Sequence, residues 1–109
     1  MKRILIITLG LSVAGMLATH AADAKENWVK NCQKCHGATG DGHTTMGRIL
    51  KIKDYTDAKV QAAMKDDEMF KTIKEGKKEG DHQKMKAFGD VFSDDEIKAL
   101  VKYVRSLKK

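Results

Sequence analysis

Cys32, Cys35 and His36 concentrate the chemistry of this 109-residue chain. They form the run Cys32-Gln33-Lys34-Cys35-His36, which has the C-x-x-C-H spacing of covalent c-type haem attachment. Two thiols one helical turn apart can each add to a vinyl group on one edge of a porphyrin. A histidine directly after the second thiol is then held against the metal. Three other chemistries compete for the same residues. A zinc site needs two further ligands; His36, His43 and His82 supply no H-x(3–5)-H pair, and there is no second C-x-x-C. A thioredoxin-like redox pair needs a βαβ setting. A structural disulfide suits an exported chain, but it gives no role to His36 or to the glycine-rich run that follows. The spacing favours haem attachment.

The elements that must position these residues belong to a small, basic and mostly helical chain. Lys and Arg number 21 against 15 Asp and Glu, a net charge of +6. Aromatic residues make up only 6% and strand-like runs are missing, which argues against an all-β fold. A hydrophobic share of 41% beside 33% charged residues fits a globular domain rather than a disordered tail. Two cysteines are too few for a scaffold built on disulfides.

Residues 1–24 read as a secretory signal peptide. Lys2 and Arg3 precede an uncharged apolar run from Ile4 to Ala18, and the small residues Ala18-Thr19-His20-Ala21-Ala22-Asp23-Ala24 follow. The apolar run is shorter than the roughly 20 residues of a membrane span. Cleavage is expected after about Ala21 to Ala24, leaving residues 25–109 as one domain, exported to the periplasm and not stably inserted in the membrane. A domain of this size has a thin core and ordinarily needs a staple, metal or cofactor.

Four helices are predicted within it. The first covers Lys25 to Asn31, with Trp28 and Val29, and runs into the cysteines. Gly37, Gly40, Gly42 and Gly47 then mark a loop that turns tightly or approaches something closely. A second helix is expected from Asp57 to Met64. A third is expected from Asp67 to Glu75, with acidic residues in its first turn and Gly76 past its end. The fourth begins at the capping box Ser93-Asp94-Asp95-Glu96. It carries Ile97, Leu100, Val101, Val104 and Leu107 on one apolar stripe. No strand is predicted.

Several features together resemble a class I c-type cytochrome with a single haem. They are the Trp28 helix, the Cys32-Gln33-Lys34-Cys35-His36-Gly37 run, the glycine loop through Asp41-Gly42, and Lys84-Met85-Lys86-Ala87-Phe88 ahead of the Ser93–Ile97 helix start. The resemblance spans roughly residues 22–109. It implies an all-α fold of about four helices wrapped around one covalently attached haem c on Cys32 and Cys35. It also implies iron axially bound by His36 and Met85. Two departures stand out. The family's distal methionine is commonly followed by proline, where this chain has Lys86. With no proline anywhere, the acceptor for the proximal imidazole proton must be a different carbonyl, expected within residues 44–48.

Met85 has rivals. Met64 and Met69 sit at apolar helical spacing, which more often marks core filling than ligation. Met46 lies close after His36 in sequence, and His82 would give a bis-histidine site; His43 reads as a solvated loop residue. Arg48 and Tyr55 are candidates for hydrogen bonds to haem propionates. Leu50, Ile52, Val60, Phe70, Ile73, Phe88 and Val91 are candidate wall residues.

Iron closed by two protein ligands exchanges one electron and has no position open for substrate. The implied function is a respiratory-type electron carrier with low-spin haem, not an enzyme. The alternative is a haem-based ligand binder or sensor with a labile sixth position. Lys34, Lys84 and Lys86, near the attachment site and the distal methionine, are candidate docking residues for redox partner proteins with acidic surfaces. No aromatic–basic interleaving suggests a nucleic-acid surface.

Overall fold

The computed structural model describes Gly10 and residues 20–109. Apart from Gly10 and its last residues, the expected signal segment therefore lies outside the described residues. Among the described residues the chain is helical, with six helices and one small hairpin. The order is α1 (His20–Asn31), α2 (Gln33–His36), α3 (Thr45–Leu50), α4 (Ala58–Ala63), α5 (Asp66–Glu75), β1 (Lys77–Glu79), β2 (His82–Met85) and α6 (Asp94–Ser106).

The four predicted helices correspond to α1, α4, α5 and α6. Asp57 caps α4 by accepting the Lys59 amide. The start of α6 is the expected reciprocal box: the Glu96 amide donates to Ser93 Oγ at 3.2 Å and the Ser93 amide donates to Glu96 Oε1 at 3.0 Å. Its apolar stripe buries Ile97, Leu100, Val101 and Val104. That stripe packs on α1 through Ala24 and Trp28, which are 1% and 2% exposed, and Phe88 and Phe92 complete the same core. Trp28 and Tyr103 meet at 5.4 Å between ring centroids.

The structure adds three elements that the sequence did not announce. The haem-motif residues themselves form the one-turn helix α2. The glycine-rich region closes into α3, capped by Thr44 Oγ1, which accepts the Gly47 amide at 2.8 Å. The chain between α5 and α6 forms an antiparallel hairpin, pairing Lys77 with Met85, Lys78 with Gln83 and Glu79 with His82. A Gly80-Asp81 turn joins its strands, with Gly80 at φ +59°. Glycine at the first of two turn residues suits a primed turn. Among the described residues no helix is long and apolar enough to cross a membrane.

Two knots fix the far side of the fold. Gln61, a buried polar side chain at 4% exposure, donates through Nε2 to the Tyr55 carbonyl at 2.7 Å and the Val104 carbonyl at 2.8 Å. Arg105 of α6 donates to the carbonyls of Gln61 and Met64, at 2.5 Å and 2.7 Å, and to Asp66 Oδ1 at 2.8 Å. The α4–α5 corner is thereby tied to α6.

Candidate functional site

Local backbone chemistry holds the Cys32–His36 turn rigidly. The amides of Cys35 and His36 both donate to the Cys32 carbonyl. Thr44 Oγ1 donates to the Cys35 carbonyl at 2.6 Å, so the cap of α3 also grips α2. The Gly42 amide donates to the His36 carbonyl at 2.9 Å, and Trp28 Nε1 donates to the Gly37 carbonyl at 3.1 Å. Gly37 has φ +89° and a Cβ there would meet Asp41 Oδ1 at 2.9 Å, which explains a glycine directly after His36. The imidazole lies between two aromatic rings, tilted against Trp28 at 5.6 Å and stacked with Tyr55 at 5.4 Å.

His36 faces a cavity of about 540 Å³, within the usual size range of a small-molecule or cofactor pocket. Its apolar walls include Leu50, Ile52, Ile73, Phe88, Leu100 and Val104. Cys32, Cys35 and Tyr55 also line it, and so does Met85, the last residue of β2. Hairpin pairing with Lys77 and a Phe88 amide bonded to the Ile73 carbonyl hold Met85 there. The topology thus brings residues 32–36 and residue 85 to one space.

The other expected residues fall on both sides of that boundary. Met64 and Met69 line the cavity while also packing on the core. Met64 is not helical; it is the C-cap of α4 in extended conformation. Met46 is 37% exposed on α3 and His82 is exposed on β2; neither lines the cavity. Arg48 is exposed in the last turn of α3 and is not a lining residue. Of the proposed wall, Val60, Phe70 and Val91 stand outside the lining, and Val91 is exposed. Sequence reasoning missed Ala63, Thr72, Leu100 and Val104 as lining residues. The two α6 residues were legible as a buried stripe, but nothing in the spacing says what that stripe faces.

Electrostatics favour neutral groups at the centre. Burial lowers the His36 pKa and so keeps the imidazole in the form that can bind a metal. Its Nδ1 is buried with no protein partner, the sole such side-chain atom among the described residues. The expected acceptor in 44–48 is not supplied. The Thr44 carbonyl accepts the Arg48 amide and the Gly47 carbonyl accepts the Ile52 amide, closing α3 on itself. Burial, with Cys35 alongside, pushes the Cys32 thiol up to about 11. A redox-active C-x-x-C pair needs the opposite shift. The two thiols are not joined to each other. No group of three or more His, Cys, Asp or Glu side chains gathers to hold a metal among the described residues.

The charged part of the cavity lining is strongly basic. Among the described residues Lys30, Lys34, Lys51, Lys53, Lys65, Lys77, Lys84 and Lys86 line the cavity, against the single carboxylate of Glu68. Of these, Lys30 and Lys84 are paired with Glu26 and Glu79; Lys71 and Lys74, paired with Glu75 and Asp94, lie outside the lining.

These residues fit a flat, largely apolar macrocycle. Two thiols sit on one helical turn, at the N-cap Cys32 and at Cys35, a neutral imidazole and a thioether are available as ligands, and aliphatic and aromatic walls surround them. Comparison with known proteins agrees. Residues 19–104 match the family model described as cytochrome c oxidase, cbb3-type, subunit III. Among solved structures, the KustC0563 c-type cytochrome is 31% identical, with a TM-score of 0.71 over 79% of this chain and 98% of its own. A tyrosine-to-phenylalanine mutant of Kustc0563 gives a TM-score of 0.69 at 31% identity, covering 79% of this chain and 99% of its own. No curated protein matches the chain significantly.

Proposed function

The chain belongs to the family of the cbb3-type cytochrome c oxidase subunit III domain and is a monohaem c-type cytochrome; on that premise we propose that it is an exported one-electron carrier whose iron is bound by His36 and Met85. The family carries a covalently attached haem c with its iron, which supplies a one-electron couple when bound. The chain's own residues do the rest. Cys32 and Cys35 provide the covalent tether. His36, kept neutral by burial and held between Trp28 and Tyr55, provides the imidazole nitrogen. Met85 provides a thioether, a ligand that raises the potential. Tyr55 lines the cavity and is the stronger of the two propionate-binding candidates.

The observation that carries this reading is that His36 and Met85 line one cavity while His82 and Met46 do not. Met64 and Met69 line it too, and Met85 is preferred over them because it matches the position of the resemblance's distal methionine, in the segment between α5 and α6. Two protein ligands leave the iron no position for substrate, so the chain is assigned no catalysis. The lysine-rich lining, with Lys34, Lys84 and Lys86 part of it, supports docking to redox proteins that present acidic surfaces. The location is the periplasm, with residues at the N-terminus acting as a cleaved signal. Ala24 is buried in the core beside Trp28, which supports cleavage after Ala21 rather than after Ala24.

Absorption spectra of periplasmically matured protein test the assignment. The carrier gives a low-spin spectrum with a methionine–iron charge-transfer band and no response to carbon monoxide. Ready carbon monoxide binding by the unaltered protein would replace it with a ligand-binding or sensor function. Colourless protein with alkylatable thiols would remove the haem assignment altogether. Met85→Ala should abolish the methionine band and lower the potential.

A further inference from the structure

We propose that Gly76 is a positioning residue that sets how far Met85 reaches into the cavity; this rests on Met85 being the sulfur ligand. A helix ends with four carbonyls that lack intrahelical partners. At the end of α5 two of them are taken by one later segment. Phe88 donates its amide to the Ile73 carbonyl at 2.9 Å, and Gly89 donates to the Lys74 carbonyl at 3.0 Å. The chain leaves α5 through Gly76 into β1, where Lys77 pairs with Met85. Residues 85–89 are therefore clipped at one end to β1 and at the other to the terminus of α5, and Gly76 sits between the two attachments.

The close approach there needs a residue without a side chain. Gly76 has φ +76°, a region that favours glycine. A Cβ on it would lie 2.6 Å from the Met85 carbonyl oxygen, 2.8 Å from the Ala87 amide nitrogen and 2.9 Å from the Lys86 carbonyl carbon. All three are backbone atoms, so no side-chain rotation relieves the overlap and the strand itself must move. Met85 and Lys86 both line the cavity, so the displacement passes directly to the thioether. Lys86 follows Met85 where the related proteins commonly place a stiff proline, and the clip takes over the task of fixing that backbone. Gly80, at the hairpin tip, is the natural control: its φ is +59°, but a Cβ there meets nothing within 4 Å.

The test compares haem-loaded wild type, Gly76→Ala, Gly80→Ala, Gly89→Ala and Met85→Ala by absorption spectrum, carbon monoxide response and potential. Far-UV circular dichroism monitors the fold. Gly76→Ala is expected to lose most of the methionine–iron band, to bind carbon monoxide and to fall in potential with its helicity retained. Gly80→Ala keeps the band. Gly89→Ala, whose Cβ would meet the Lys74 carbonyl at 3.0 Å, shows a smaller loss. A full band and carbon monoxide inertness in Gly76→Ala overturn the proposal. Where Gly76→Ala fails to fold, an unaltered band in Gly89→Ala overturns it instead. A wild type without the band, or a Met85→Ala that keeps it, brings down the ligand assignment and this inference together. A band lost only in Met85→Ala brings down the inference alone.

Discussion

The ring of Tyr55 lies against the imidazole of His36, with centroids 5.4 Å apart and planes inclined by 21°. The Tyr55 amide donates to the Gly40 carbonyl at 2.9 Å, so the glycine loop after the haem motif delivers the ring to its place. Burial, with Cys32 nearby, raises the phenol pKa and keeps it a neutral donor. Tyr55→Phe preserves the stack and should lower the denaturation midpoint only by what a hydrogen bond from the hydroxyl contributes. Tyr55→Leu should cost about 0.5–1.5 kcal/mol beyond the area it loses, the usual worth of an aromatic pair. Equal midpoints for the two variants would show the stack to be energetically idle.

Arg105 is a stronger structural test than any of the surface lysines. Its fork reaches two backbone carbonyls and a carboxylate on different elements, a pattern that a single ammonium cannot copy. Arg105→Lys should destabilise the fold by about 1–3 kcal/mol, the usual cost of leaving polar groups unpaired. Chemical denaturation measures it, and a loss no larger than that of an exposed Lys→Ala change would contradict the role.

The hairpin carries a pH dependence. Glu79 is held below its ordinary value by hydrogen bonding and charge attraction from Lys84, with a smaller contribution from Lys77. A depressed carboxylate pKa stabilises the fold above the unfolded value, and that contribution is lost as pH falls through the folded value. The hairpin should therefore loosen on acidification below the ordinary glutamate range. Glu79→Gln should remove that acid-side component. Hydrogen exchange of the Lys77–Met85 pairing at several pH values reports it, and profiles identical with and without Glu79 would refute it.

Charge reversal at the lysines of the cavity lining should act on encounter rather than on folding. Lys34→Glu, Lys84→Glu and Lys86→Glu combined should slow reduction or oxidation by an acidic redox protein by about tenfold or more at low salt. The difference should shrink as the Debye length falls from about 10 Å at 0.1 M to about 3 Å at 1 M. Stopped-flow rates against ionic strength decide, and a salt-independent deficit would point away from steering.

Parts of this architecture were written plainly in the residues. The Ser93–Glu96 box and the Ile97–Val104 stripe mark α6, and the acidic turn and Gly76 bound α5, because caps and periodicity are local signals. The α3 helix was hidden by Gly47 and by the glycines just before it. Gly47 sits inside it because a side chain there would collide with the Gly42 carbonyl, a tertiary reason that propensity cannot express. The hairpin was hidden differently. Lys77, Lys78, Glu79, His82 and Gln83 are all exposed, so no apolar alternation reveals a strand, and the pairing rests on backbone bonds and the Glu79–Lys84 ion pair. Met64 and Met69 show the limit for side chains: their spacing says that they face inward, but not that their inward face borders the same cavity as His36.

The excess of lysines lining the cavity has an energetic effect even before any partner arrives. Giving up an electron leaves one more positive charge at the centre, and like charges nearby disfavour that state. The free protein is thereby biased toward staying reduced. Under the docking proposed above, a carboxylate-rich surface covering the lysines would cancel the bias at the moment of contact, so that release would be easiest where a recipient is already seated.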